Sequence, residues 1–188
     1  EVHYNLGVTL QELDQLEASI KSFEQAITIK PDYADAYINL GNTLKNLGRL
    51  DAAVKSYKQA LAINPDYAEA HNNLGNALND LIQLDDAIKC YEKAITIKPD
   101  YADAHNNLGN AIYDLGQLDS AVKSYKQALA INPDYTDAHN NLGIALKELD
   151  QLDAAVKSFE KALAIKLDHV EAHNNLGNTL RNLNQVDA

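Results

Sequence analysis

Apolar residues recur along the whole chain at the i, i+3, i+4 spacing of an amphipathic helix. Between residues 102 and 135 they form two sets, separated by Gly116, which suits a left-handed helix C-cap. Pro133 then blocks continuation of the second helix. The segment predicts two helices joined by a turn, and no part of the chain predicts a strand. The apolar sets are Ala104, Leu108, Ala111, Ile112 and Leu115, then Leu118, Ala121, Val122, Tyr125, Ala128, Leu129 and Ile131.

The helical pair repeats with a period of 34 residues. Full repeats span 34–67, 68–101, 102–135 and 136–169, after a near-complete repeat at 1–33 and before a half repeat at 170–188. Alternate repeats match best, since residues 55–67 and 123–135 are the same string, KSYKQALAINPDY. We therefore predict a single array over residues 1–188. Each repeat carries a Leu-Gly pair, at Leu6-Gly7, Leu40-Gly41, Leu74-Gly75, Leu108-Gly109, Leu142-Gly143 and Leu176-Gly177.

A glycine inside each first helix indicates where the two helices of a repeat touch. Glycine within a helix costs roughly 1 kcal/mol relative to alanine, so Gly109 needs a compensating contact. We expect it to face Tyr125 of the second helix. Asp134 and Asp137 have the spacing of an acidic capping box, which predicts the start of the next first helix between them.

This pattern resembles the tetratricopeptide repeat. That family has a large residue at repeat position 4, Leu-Gly at 7 and 8, Ala at 20, an aromatic residue at 24, Ala at 27 and Pro at 32. The resemblance implies an all-α, right-handed superhelical solenoid of helix-turn-helix repeats, whose concave face is built from the first helices and usually binds a peptide. In the repeat that begins at Ala34, the matching residues are Tyr37, Leu40, Gly41, Ala53, Tyr57, Ala60 and Pro65.

Some positions depart from the family pattern. Ile82 stands where a C-cap Gly or Asp is usual, and a β-branched residue disfavours positive φ. Leu167 replaces the proline, so the preceding helix is expected to run on by about a residue, while Asp168 and Glu171 preserve the turn through a capping box. At position 4 most repeats carry a histidine, which is interpreted as a partly buried packing residue: His3, His71, His105, His139 and His173.

Asparagines recur at positions 6 and 9 of the first helices, one helical turn apart. Asn is a mediocre helix former, but its amide can pair with both N–H and C=O of a peptide main chain. The pattern resembles the asparagine ladder in the repeat arm of the O-linked N-acetylglucosamine transferase, and it predicts a peptide-binding face. The alternative is that the amides bond one another or water. The predicted binding residues are Asn39, Asn42, Asn73, Asn76, Asn107, Asn110, Asn141, Asn175 and Asn178, and Asn5 continues the row.

Carboxylates stand at position 2 of the four full repeats and of the C-terminal half repeat, where they either form an acidic rim that prefers basic or neutral peptides or cap the helices. The carboxylate clamp of chaperone-binding relatives is excluded, because its Lys and Arg residues are missing at positions 2, 5 and 6. The position-2 residues are Asp35, Glu69, Asp103, Asp137 and Glu171.

The charge and the composition of the chain exclude several kinds of partner and site. The chain has 27 acidic and 16 basic side chains and a net charge of −11, which argues against nucleic-acid and anionic membrane partners. Its single cysteine cannot form an internal disulfide. Histidines of adjacent repeats cannot share a zinc ion, because packed helices lie about 8–10 Å apart and zinc–nitrogen distances are about 2.0–2.1 Å. No phosphate loop, nucleophile elbow or acid pair occurs, so neither a cofactor nor enzymatic activity is expected.

We therefore predict a non-catalytic scaffold that binds a protein or an extended peptide. Two alternatives stay open: a substrate-recruiting arm of a larger enzyme such as a glycosyltransferase, and a structural superhelix that associates end to end through its exposed terminal helices. The chain has no methionine and begins within a repeat, which indicates an excerpt of a longer protein. A cytoplasmic location is expected.

Overall fold

The structure is a computed structural model that describes the backbone of residues 1–186 and the side chains of residues 1–183. This part of the chain consists of eleven α-helices with no strand. Each full repeat contributes two helices, as the sequence predicts. They are α1 (Val2–Glu12), α2 (Leu16–Ile29), α3 (Ala34–Asn46), α4 (Leu50–Ile63), α5 (Ala68–Asp80), α6 (Leu84–Ile97), α7 (Ala102–Asp114), α8 (Leu118–Ile131), α9 (Thr136–Glu148), α10 (Leu152–Ile165) and α11 (Val170–Val186).

The helices form two compact blocks, residues 1–99 with α1–α6 and residues 100–188 with α7–α11. Within the N-terminal block each helix packs against the next, and the first helix α3 also contacts the first helices α1 and α5. The C-terminal block has the same order, with contacts from α7 to α9 and from α9 to α11. Each block is thus built of stacked helical pairs whose first helices lie side by side.

The two helices of a repeat meet where the glycine of the first faces the aromatic ring of the second. A Cβ added to Gly41 would lie 2.5 Å from Cε1 of Tyr57, and one added to Gly109 would lie 2.5 Å from Cε1 of Tyr125. Such a distance leaves no room for a methyl group. The predicted close approach is confirmed, and the five rings that occupy it are buried: Phe23, Tyr57, Tyr91, Tyr125 and Phe159.

The predicted capping boxes are wrong. The residue before α9 is Tyr135, and no side chain caps the helix start. Asp134 lies one residue too early to be the N-cap, and its own N–H donates to Oδ1 of Asn132 at 3.2 Å within the turn. The N-cap residues of α3, α5 and α7 are likewise tyrosines whose side chains do not cap the helix. They are Tyr33, Tyr67 and Tyr101, respectively.

The turn at Leu167 is preserved, as predicted, but α10 does not run on. It ends at Ile165, the repeat position at which α8 ends with Ile131. The predicted box of Asp168 and Glu171 is replaced by His169, whose Nδ1 accepts the N–H of Ala172 at 3.2 Å.

A position-4 histidine also holds this turn. Nε2 of His173 lies 2.7 Å from the carbonyl oxygen of Leu167, just as Nε2 of His139 lies 2.8 Å from that of Pro133. A carbonyl oxygen only accepts, so Nε2 carries the proton and donates. These histidines therefore join the turn to the next helix whether or not the turn contains proline.

Ile82 adopts the disfavoured left-handed backbone. Its φ is 59°, where the corresponding turns have Gly48 at 72° and Gly116 at 75°. The N–H of Ile82 donates to the Asn79 carbonyl at 2.8 Å, so the turn forms despite the β-branched side chain. That side chain is 81% exposed and gains little from packing in return.

Replacing Ile82 with glycine should therefore raise the free energy of unfolding by about 0.5–1 kcal/mol, the relief of left-handed strain less the backbone entropy of glycine. Urea unfolding measures this. The control is Ile29→Gly, because Ile29 is also exposed but is the last residue of α2, where the backbone is right-handed and glycine relieves no strain, so the variant should be neutral or less stable. Equal losses in the two variants would contradict the assignment of strain to Ile82.

Replacement by alanine should change the free energy of unfolding in opposite directions at two glycines of the same repeat position. Gly109→Ala should lower the free energy of unfolding by about 2 kcal/mol, because the methyl group collides with Tyr125. At Gly177 an added Cβ meets nothing within 4 Å, so Gly177→Ala should gain up to about 1 kcal/mol from helix propensity. A loss of stability in both variants would show that the ring contact is not what requires glycine.

Candidate functional site

The asparagines of the predicted ladder lie on the first helices, where stacking within each block brings them together. In the N-terminal block α3 and α5 contact each other, and in the C-terminal block α9 contacts both α7 and α11. All of the predicted binding residues are half-buried except the exposed Asn178. The N-terminal block holds Asn39, Asn42, Asn73 and Asn76, and the C-terminal block holds Asn107, Asn110, Asn141, Asn175 and Asn178.

The position-9 asparagines direct their oxygens into the fold. Oδ1 of Asn110 accepts the hydroxyl of Tyr125 at 2.9 Å and Nδ2 of Asn141 at 3.1 Å. Oδ1 of Asn42 accepts Tyr57 at 2.7 Å and Asn73 at 3.1 Å in the same way. One amide oxygen therefore joins the second helix of its own repeat to the first helix of the next.

A covariation within the sequence shows why asparagine occurs at position 9. Tyr57, Tyr91 and Tyr125 each donate to the asparagine fifteen residues earlier. Where the ring is phenylalanine, at Phe23 and Phe159, position 9 is apolar, with Val8 and Ile144. A buried hydroxyl requires an acceptor and a phenyl ring does not. This pairing was the signal in the sequence that our interpretation of the asparagines missed.

The position-6 asparagines donate to the preceding repeat. Nδ2 of Asn141 donates to Oδ1 of Asn106 at 3.2 Å as well as to Asn110. Nδ2 of Asn39 instead meets the hydroxyl of Tyr4 at 2.9 Å, because the preceding repeat has Val8 at position 9. Each Nδ2 group thus uses the acceptors that the previous repeat provides.

The position-5 asparagines, which the sequence analysis did not select, complete this network. Asn106 and Asn140 are buried, with 4% and 7% of their surface exposed. Oδ1 of Asn140 accepts Nδ2 of Asn175 at 3.1 Å. The Asn-Asn pair before Leu74, Leu108, Leu142 and Leu176 could have indicated them, since two adjacent residues of a helix do not share a face.

The ladder is therefore partly an internal network. Some of its amide donors and acceptors make no internal hydrogen bond. In the C-terminal block, Oδ1 of Asn110 is occupied while its Nδ2 group stays available as a donor. Nδ2 of Asn141 is occupied while its Oδ1 stays available as an acceptor. Adjacent repeats thus offer one donor and one acceptor beside each other.

Three of the position-2 carboxylates contact the residue that ends their own repeat. Oδ1 of Asp35 accepts the hydroxyl of Tyr67 at 2.7 Å, and this bond is the main reason that the pKa of Tyr67 is raised. In the C-terminal block Asp103 bonds Tyr135, whose pKa is raised chiefly by burial, and Asp137 lies 3.3 Å from Nε2 of His169. These acids fix the end of the repeat instead of capping a helix.

A small polar cavity opens beside the first helices of the N-terminal block. Its volume is about 170 Å³. Two carboxylates, from Asp35 and Glu69, share the wall with the hydroxyls of Tyr4 and Tyr67 and the amide of Asn39. Two carboxylates therefore lie at one wall of this cavity, although Asp35 also serves an internal bond.

Residues that could bind a metal do not converge. Within the described residues, no group of three or more His, Cys, Asp or Glu side chains could hold an ion. In the same part of the chain, no helix is both long and apolar enough to cross a membrane.

Family models cover most of the chain. The model of the TPR repeat matches residues 12–48, 41–81, 76–116 and 109–150, and that of the tetratricopeptide repeat matches residues 136–169. The chain belongs to the tetratricopeptide repeat (TPR) family. No curated protein gives a significant match to it.

Solved structures of TPR proteins are similar over nearly the whole TPR chain. The crystal structure of MamA is 27% identical with a TM-score of 0.78, and covers 85% of this chain and 94% of its own. PilW, a type IV pilus biogenesis factor, is 25% identical with a TM-score of 0.84 and coverages of 94% and 86%. YrrB, described as a TPR protein with an unusual peptide-binding site, shares the fold at 22% identity, with a TM-score of 0.74 and coverages of 92% and 89%.

Removing a shared acceptor should destabilise the TPR chain. Asn110→Ala leaves the buried hydroxyl of Tyr125 and one Nδ2 hydrogen of Asn141 without a partner, at a cost of about 2 kcal/mol in the free energy of unfolding. The matched control is Asn178→Ala at the same repeat position, where the side chain is exposed and alanine should be neutral or slightly stabilising. Urea unfolding separates the two, and equal stability of both variants would contradict the network.

Proposed function

We propose that the first-helix face of this TPR chain holds an extended peptide by its main chain. The proposal rests on the amide groups that the internal network does not use. The Nδ2 donor of Asn110 and the Oδ1 acceptor of Asn141 are both available to a ligand. A peptide main chain presents C=O and N–H groups in alternation, so the peptide residue that lies beside such a pair could bond to both asparagines.

The spacing of the repeats supports an extended ligand. Helices packed side by side lie about 8–10 Å apart, and an extended chain advances about 3.3–3.6 Å per residue, so one repeat corresponds to about three peptide residues. Each repeat would then make two hydrogen bonds to the peptide main chain, one through an asparagine donor and one through an asparagine acceptor. It would select little among the side chains of the peptide.

The carboxylates beside the asparagines favour a peptide with basic residues. Asp35 and Glu69 line the 170 Å³ cavity of the N-terminal block, which suits the ammonium group of a lysine side chain. In the C-terminal block Asp103 and Asp137 are largely exposed next to the same face.

The function is binding without catalysis. Two settings would use this face in the same way. One is a stand-alone scaffold, and the other is the recruiting arm of a larger enzyme, such as a glycosyltransferase with a similar asparagine ladder. End-to-end association is a further candidate, favoured by the exposure of Val2 and Leu6 on α1 and of Leu180 on α11.

Asparagine-to-aspartate substitution separates ligand binding from folding. Asn110→Asp keeps the oxygen that accepts Tyr125 and Asn141 but replaces the outward amide with a carboxylate oxygen. For a neutral peptide selected from a random display library, the affinity should fall about threefold to tenfold, the value of one hydrogen bond. Fluorescence anisotropy measures it, and urea unfolding should show that the fold is kept.

Asn132→Asp is the control, because it adds the same charge in the loop after α8, and its oxygen can still accept the N–H of Asp134. A main-chain reader should also lose a peptide whose backbone is N-methylated. Unchanged affinity in the Asn110→Asp variant, or unchanged binding of the N-methylated peptide, would refute the proposal.

A further inference from the structure

A second groove lies on the opposite set of helices in the C-terminal block. It has a volume of about 590 Å³ and runs between the second helices α8 and α10, over α9. Its apolar wall includes Leu129, Leu142, Ala164 and Ile165, and Ile165 is 40% exposed. The volume falls within the range of about 300–1,000 Å³ that is typical of ligand sites.

Three lysines border this groove. Lys126 stands on α8, and Lys157 and Lys161 stand on α10, one helical turn apart. None of the three makes an ion pair with any residue for which side chains are described. Asp134 is the one carboxylate in the lining, so the groove has an excess of positive charge in a chain whose net charge is −11.

In the N-terminal block, lysines at two of these repeat positions form ion pairs. Lys89 and Lys93 of α6 occupy the repeat positions of Lys157 and Lys161. Nζ of Lys89 lies 2.8 Å from Asp86, and Nζ of Lys93 lies 3.6 Å from Asp66. The position of Asp86 is Ala154 in α10, as it is Ala18 in α2 and Ala52 in α4, so Lys157 has no such carboxylate one turn before it.

The floor of the groove also differs between α10 and α6. Thr96 of α6 corresponds to Ala164 of α10, so a side chain with a hydroxyl becomes a methyl group. The later repeat therefore combines a more apolar wall with unpaired cations. Both changes favour a ligand that brings apolar groups and carboxylates together.

We propose that this groove, lined by Leu142, Ala164 and Ile165 and bordered by Lys126, Lys157 and Lys161, docks an acidic segment of a partner protein that inserts apolar side chains. The cations lie on two helices and at two levels of α10, so they match several carboxylates along a polypeptide and not one headgroup. The interaction does not use the asparagine face, and a peptide could occupy that face at the same time.

The test uses the whole chain and three synthetic peptides of equal length. The first is an amphipathic peptide of Glu with Leu and Phe at helical spacing, the second has Ser in place of Leu and Phe, and the third has Lys in place of Glu. Backbone amide shifts in NMR titrations locate each peptide and give its Kd. The first peptide should bind, with the largest shifts around Leu142, Lys157 and Ala164, and the other two should bind at least about tenfold more weakly.

Ala154→Asp restores the carboxylate found in the earlier repeat and should weaken the first peptide about tenfold by pairing Lys157. The control Ala52→Asp adds the same charge at the same repeat position of α4, away from the groove, and should leave its affinity unchanged. Lys161→Gln provides a second test, because it removes a cation at an exposed position without adding a charge.

Several results would overturn the proposal. They are equal affinity in Ala154→Asp and Ala52→Asp, equal binding of the Ser peptide, shifts centred on the asparagines, and no effect of Lys161→Gln. Binding of dodecanoate in the groove without binding of the first peptide would also overturn it, because the occupant would then be a small amphiphile.

Discussion

The hydrogen bonds to the position-9 amide oxygen are the constraint on which each block depends. In the C-terminal block Oδ1 of Asn110 holds both the hydroxyl of Tyr125 and the amide of Asn141. The first bond joins the two helices of one repeat, and the second joins that repeat to its neighbour. Around it, the absent side chain of Gly109 lets the tyrosine ring approach the first helix. Close packing therefore places the hydroxyl, and the hydroxyl then requires the asparagine.

This network shapes what the first-helix face can do. Half of the Asn110 amide and half of the Asn141 amide hold the repeats together, so these two residues present a single donor and a single acceptor in place of whole amides. Such a face suits a peptide main chain, whose hydrogen-bonding groups alternate. The second-helix groove is different, because Ala154 and Ala164 replace a carboxylate and a hydroxyl of the earlier repeat and leave lysines above apolar residues. The two proposed sites would therefore select ligands of opposite charge.

The sequence predicted the helical pairs, their period and the contact of Gly109 with Tyr125, because all three depend on local apolar spacing. Ile82 was expected to be strained, and its φ of 59° agrees. The capping boxes failed because side-chain spacing does not say which residue starts a helix, and the helix begins one residue after Tyr135. The Asn-Asn pair made Asn106 a candidate for a buried residue, but its own helix could not show its role, since its partner Asn141 belongs to the next repeat. The pairing of tyrosine with asparagine and of phenylalanine with valine or isoleucine was readable, but only by comparing positions on two helices.

A double-mutant cycle tests the shared acceptor most directly. Tyr125→Phe and Asn141→Ala each remove one donor from Oδ1 of Asn110, and urea unfolding gives the coupling between them. The account predicts a coupling energy of at least about 0.5 kcal/mol, which disappears when the cycle is repeated in the Asn110→Ala background. Strict additivity in the original background, or a coupling that survives the loss of Asn110, would contradict it.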